Sequence, residues 1–182
     1  MNGEPDRLAR ARPDFEELRE AGEAATLHAT CIALGGRAAL LRGPPGAGKS
    51  DLALRCLSQV AMPVPLTCQM SDGPGPVRLV SDDQVMVQRQ GDRLLARAPA
   101  AIRGKIEVRG VGIVHVPTVE EATVACVFDL VCETAIERFP LDERREVLCG
   151  IAVPVLAVRP FEASAALKVL LAISTCNVTR LP

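Results

Sequence analysis

The chain has no tryptophan and no tyrosine, and phenylalanine occurs only four times. Single-stranded nucleic acid is held largely by stacking bases on aromatic rings, so this scarcity argues against an RNA-binding module. A basic excess is missing too. Twenty-one Lys and Arg face 22 Asp and Glu, for a net charge of -1, which leaves no electrostatic grip on a phosphodiester backbone. No stretch reaches the about 18 uninterrupted apolar residues of a membrane span, and the polar start MNGEPDRLARARPDFEELRE lacks the apolar run of a signal peptide. These absences predict a cytoplasmic protein that engages neither nucleic acid nor membrane. The cysteines (Cys31, Cys56, Cys68, Cys126, Cys132, Cys149 and Cys176) form no CxxC pair, which removes the usual zinc-site pattern. They read as small buried hydrophobes kept reduced.

What is present fits one domain. At 182 residues, 48% of them apolar, the chain is long enough for a real core and short for two. Residues 1–24 read as a polar tail and 25–182 as the folded unit. From Thr26 to Leu34 and from Ala38 to Leu41 the pattern predicts strands joined at Gly35-Gly36. Ser50 to Val60 predicts a helix, ended by Pro63 and Pro65, and residues 61–76 an exposed Pro/Gly-rich loop. Strands are expected at Val77–Ser81, Gln84–Arg89, Arg93–Ala96, Lys105–Arg109, Gly112–Val116, Thr123–Cys132 and Ile151–Val158. Thr118 and Glu121 have capping-box spacing for a brief helical turn, and Glu162–Ser174 predicts an apolar helix packed inside the domain or on another subunit. The fold class is α/β: a mostly β domain around a central phosphate-loop unit, with a C-terminal helix.

The strongest chemical signal is Gly43-Pro44-Pro45-Gly46-Ala47-Gly48-Lys49-Ser50, a match to G-x-x-x-x-G-K-[ST] set between a strand and a helix. Glycines let the backbone curl so that N–H groups and the helix start face an anion. Lys49 adds a cation for the outer phosphates, and Ser50 offers a hydroxyl to Mg²⁺. ATP and Mg²⁺ are the ligands this predicts. Asp82-Asp83 follow an apolar strand, where one carboxylate can hold Mg²⁺ and the other accept a proton from an attacking hydroxyl. The pair alone does not say which does which. Glu107 and Arg109 alternate along one strand and so share a face, fit either for metal and phosphate or for solvent. Taken alone, His28 and His115, the two histidines, read as structural residues, His28 half-buried in its strand.

Four features in order, Leu27-His28, GPPGAGKS, LVSDD and IEVRGVGIV, make the chain resemble the catalytic domain of HPr kinase/phosphorylase, in the short form that lacks the N-terminal domain. The resemblance runs from about Leu27 to Ile173. It implies a kinase that phosphorylates a serine of the phosphocarrier protein HPr and can run in reverse as a phosphorylase, within phosphotransferase-system regulation. By that resemblance His28, Lys49, Asp83 and Arg138 fall on active-site positions, Asp83 being preferred to Asp82 as the base, and Ser50 and Glu107 fall on Mg²⁺ positions. Arg138 is carried by the segment Glu137-Arg138-Phe139-Pro140-Leu141-Asp142. A homo-oligomer, a hexamer, is implied as well. Two departures stand out: a longer Pro/Gly-rich loop before the aspartates, and Arg159-Pro160-Phe161-Glu162 where the family continues Arg-Pro with Gly-Arg-Asn, a stretch tied to phosphorolysis. Kinase activity is therefore expected more firmly than the reverse reaction. The alternatives are a regulatory module that binds nucleotide without transferring phosphate, and a small-molecule kinase.

Overall fold

The computed structural model describes residues 22–59, 75–132, 136, 143–176 and 179–180. Twelve strands appear among them: β1 (Ala24–His28), β2 (Thr30–Leu34), β3 (Arg37–Arg42), β4 (Val77–Ser81), β5 (Gln84–Gln90), β6 (Arg93–Arg97), β7 (Lys105–Val108), β8 (Gly112–His115), β9 (Glu121–Leu130), β10 (Arg145–Leu148), β11 (Ile151–Val158) and β12 (Thr179–Arg180). Two α-helices accompany them, α1 (Lys49–Leu57) and α2 (Ala165–Thr175).

Ten strands form one sheet in the order β1-β5-β6-β9-β3-β2-β4, with β11 joined to β9 and itself flanked by β10 and β12; β7 and β8 make a separate hairpin. Strands β3, β9 and β11 run parallel, and the other pairings are antiparallel. The architecture is thus the mostly β, α/β fold that the sequence predicts.

The central strands β2, β3 and β9 are apolar on both faces, the pattern of strands covered on both sides. One face, with Ile32, Ala39, Leu41, Cys126 and Phe128, packs against α1 and α2. The other, with Cys31, Ala33, Leu40, Val124 and Val127, packs against residues of β5, β6, β10 and β11. Val124 and Val127 share a face despite odd spacing because the β3–β9 register skips Ala125, a bulge that absorbs the extra residue. Helix α2 buries Ala165, Ala166, Val169, Leu170, Ala172 and Ile173, as its composition predicts.

Several expectations are corrected. The first apolar run is two strands broken at Ala29, because β1 pairs with β5 while β2 pairs with β3 and β4. Thr118 and Glu121 cap no helix: the Thr118 hydroxyl donates to the Leu79 carbonyl at 2.7 Å, and Glu121 opens β9. Strand β10 was not foreseen, its four residues being polar or half-exposed apart from Leu148. Helix α1 ends at Leu57, and most of the loop 61–76 lies outside the described residues, as do the tail through residue 21 and Cys68. Of the other six cysteines, Cys31, Cys56 and Cys126 are buried as expected, whereas Cys132 is exposed and Cys149 and Cys176 are half-buried. Burial pushes the Cys31 thiol up, and that of Cys56 up to about 12.

Candidate active site

The site forms where strand ends converge. Strand β2 lies between β3 and β4 and runs antiparallel to both, so the start of β2 meets the ends of β3 and β4. The phosphate loop leaves the end of β3, Asp82-Asp83 leave the end of β4, and Thr30 opens β2. His28, at the end of β1, reaches the same edge. Three sequence segments far apart in the chain, 28–30, 43–50 and 82–83, are thereby brought together by antiparallel pairing.

Gly48 carries φ +90°, a left-handed conformation open to glycine, and it delivers the chain into α1. Asp51 in the first turn of α1 and Arg55 in the last complement the helix dipole. Lys49 is only 8% exposed. Its ammonium donates to the carbonyls of Gly43 at 2.8 Å and Pro44 at 3.2 Å, and lies 3.2 Å from His28 Nε2. An ammonium can only donate, so Nε2 accepts and the proton of the neutral ring sits on Nδ1. Nδ1 is 3.1 Å from an Asp83 carboxylate oxygen, which it can therefore reach as donor. Lys49, His28 and Asp83 form one continuous chain of contacts.

The two adjacent aspartates face opposite ways. Asp83 has φ +66°, and the Gln84 N–H bonds back to the Asp82 carbonyl at 2.8 Å, so the chain reverses between them. Asp82 is 6% exposed and accepts three hydrogen bonds: from Thr30 Oγ1 at 2.7 Å, Ser50 Oγ at 2.9 Å and the Glu107 amide at 3.1 Å. The Asp83 side chain is 68% exposed. A non-glycine residue with positive φ costs on the order of 1 kcal/mol, and aspartate is among the residues that adopt it most readily.

The pocket enclosed by these elements has a volume of about 460 Å³ and is lined by His28, Lys49, Ser50, Asp83, Glu107 and Arg109, among others. Glu107 and Arg109 both reach it, although β7 ends at Val108 and Arg109 belongs to the following turn rather than to the strand face. His28 lines the pocket with an exposed side chain rather than sitting half-buried in its strand; His115 is exposed on β8 and does not line the pocket. Arg138 lies outside the described residues. Thr30, Asp51, Leu54, Val108 and Phe161 also line the pocket and were not among the sequence candidates. Thr30 carries no motif, and Phe161 registered only as a departure from a family pattern.

For Mg²⁺ the donor set is suitable. Magnesium binds through one or two carboxylates together with substrate phosphates and water rather than in an all-protein cage. No group of three His, Cys, Asp or Glu side chains arranged for a metal occurs among the described residues. The Ser50 hydroxyl bonded to Asp82, together with the Glu107 carboxylate that lines the pocket, could supply part of such a shell.

The fold defines a mostly β, α/β protein with a helix near its C-terminus. No protein-family model matches the chain. Among curated proteins it is similar to the HPr kinase/phosphorylase of Azoarcus sp., 31% identical over 166 residues that cover 84% of this chain and 47% of the relative. It is also similar to that of Lactobacillus delbrueckii subsp. bulgaricus, 27% identical over 142 residues covering 72% and 40%. The solved structure of the HPr(Ser) kinase/phosphatase from Coxiella burnetii superposes with a TM-score of 0.62 and 25% identity, covering 81% of this chain and 93% of that one. The chain is thus a relative of the HPr kinase/phosphorylases, and it spans less than half the length of these two curated relatives. No helix among the described residues is long and apolar enough to cross a membrane.

Proposed function

We propose that this protein is an ATP- and Mg²⁺-dependent kinase that phosphorylates a serine of HPr. The observation that carries the reading is the junction of Ser50 with buried Asp82, beside a Lys49–His28–Asp83 chain in a pocket of phosphate-loop form. The names of the similar proteins supply the acceptor.

In this mechanism the loop amides of Gly46 to Ser50 and the Lys49 ammonium hold the nucleotide phosphates. Lys49 exchanges its contacts with the Gly43 and Pro44 carbonyls for phosphate oxygens. Ser50, Asp82 and Glu107 would hold Mg²⁺, which would neutralise phosphate charge when bound. Asp83, at the pocket mouth, takes the proton of the attacking serine hydroxyl. The serine oxygen bonds to the γ-phosphorus while the bond to the ADP oxygen breaks, and Lys49, with Arg138, stabilises the transferred charge. His28 orients Asp83 and relays the field of Lys49 to it.

Regulation of carbon metabolism, a cytoplasmic site of action and a homo-oligomer, a hexamer, belong to the same reading. Reverse phosphorolysis is proposed less firmly than the kinase reaction, since Phe161 and Glu162 stand where the family pattern has Gly-Arg. The test is incubation of the purified protein with Mg²⁺, γ-labelled ATP and HPr from the same organism, with Lys49→Ala as control. Label on an HPr serine that vanishes in the variant is the expected result. ATP binding without label would instead favour a regulatory nucleotide-binding module.

A further inference from the structure

The pocket lining mixes polar and apolar side chains: His28, Asp83 and Glu107 are polar, whereas Leu54, one turn into α1, Val108 on β7 and Phe161, from the loop between β11 and α2, are apolar. Phe161 is 69% exposed although Phe128, the other described phenylalanine, is buried in the core. Its ring tip stands close over Gly48: a Cβ built there would lie 2.9 Å from Phe161 Cζ. The loop that carries it is pinned to α1. Arg55 is held by Asp51 at 3.0 Å and donates to the carbonyls of Pro160 and, at 3.4 Å, Glu162. Lys168 closes the other side of the loop on Glu162 at 2.5 Å. An exposed aromatic ring is thus fixed in place at the lip of a phosphate pocket, at the expense of apolar surface left in water.

We infer that Phe161 is the platform on which the nucleoside of the bound nucleotide rests, with Leu54 beside it. The inference builds on the nucleotide-binding reading above and assigns the end of the pocket away from the transfer. Orientation follows from the helix. Ser50 and Asp82 mark the metal and outer phosphates, so the phosphate chain runs from there along the start of α1, past Gly48 and Asp51. The nucleoside then meets Phe161, the phenylalanine of the lining, with Leu54 of α1. A base stacks on such a ring through its π-face, tolerantly of base identity, so the platform favours purine nucleotides over bare polyphosphate without selecting strictly between adenine and guanine.

The absence of tryptophan and tyrosine gives a clean test. Phe161→Trp places a single indole at the lip, and MgATP is expected to quench its fluorescence while magnesium tripolyphosphate binds with little quenching. In parallel, Phe161→Ala is expected to weaken ATP about tenfold while leaving tripolyphosphate affinity within about twofold, as loss of one stacking contact predicts. Equal weakening of both ligands, or no change in either, would overturn the platform and leave Phe161 a packing residue or a bystander. If the unaltered protein binds neither ligand, the nucleotide reading fails and the platform with it. If it binds tripolyphosphate and ATP equally well, the phosphate site stands and the platform alone is lost.

Discussion

The Nε2 atom of His28 lies 3.2 Å from the Nζ atom of Lys49, which joins the end of β1 to the phosphate loop. His28→Ala removes both that acceptor and the donor that faces Asp83, yet its side chain is 51% exposed and packs little. We expect transfer to fall about 10- to 100-fold. Stability should move by no more than about 0.5 kcal/mol, so kinetics and thermal melting measured on the same sample will separate the two effects.

Asp82→Asn and Asp83→Asn should behave differently although the residues are neighbours. An amide at position 82 has one acceptor oxygen and an NH₂ where the carboxylate accepts from Thr30, Ser50 and the Glu107 amide. A loss of about 1–3 kcal/mol in denaturant unfolding is expected, together with weaker Mg²⁺-dependent nucleotide binding. At position 83 asparagine tolerates the left-handed backbone, so folding and nucleotide binding should persist while turnover drops by about two orders of magnitude or more. Unchanged turnover in Asp83→Asn would remove it from the role of base.

Gly48→Ala meets two obstacles at once, a backbone φ of +90° and the ring of Phe161 at 2.9 Å. The expected cost is about 1–3 kcal/mol of stability, with loss of measurable nucleotide binding. Equilibrium unfolding and a nucleotide titration check it. Native affinity in this variant would mean that the loop tolerates a different path.

Away from the pocket, Arg42 leaves the end of β3 and bonds to Asp129 on β9 and Glu146 on β10, at 3.0 and 2.9 Å. The hydrogen bond from Arg42 holds the Glu146 carboxyl below its ordinary value of 4.5 against the opposing effect of burial. A carboxylate whose value is depressed on folding contributes stability that is present above the unfolded value and lost as pH falls through the folded one. Thermal midpoints should therefore decline as pH drops below about 5, and Glu146→Gln should flatten that decline. Because the Glu146 side chain is 37% exposed, the difference at neutral pH should not exceed about 1 kcal/mol. An acid limb with the same slope in the variant would place the loss elsewhere.

The segments that were legible in the sequence are those whose signal is local. The phosphate loop is a backbone requirement written in consecutive residues, and Gly43 to Ser50 state it completely. Strands β4, β5, β6, β9 and β11 were visible because apolar runs between turn residues need no partner to be recognised. Strand β10 lacked that signal. The capping-box spacing of Thr118 and Glu121 misled because the same hydroxyl found a carbonyl on β4, 39 residues away.

By itself, then, the sequence determined the fold class, a phosphate-loop motif and an acidic pair after a strand. Which aspartate turns inward was decided only by the tertiary structure. The reversal at Asp83 and the three donors around Asp82, from β2, α1 and β7, come from elements that share no sequence neighbourhood. Thr30 and Phe161 belong to the site for the same reason. Nothing local marks a threonine at a strand start or a phenylalanine in a loop, whereas strand order and the clasp of Arg55 set both at the pocket.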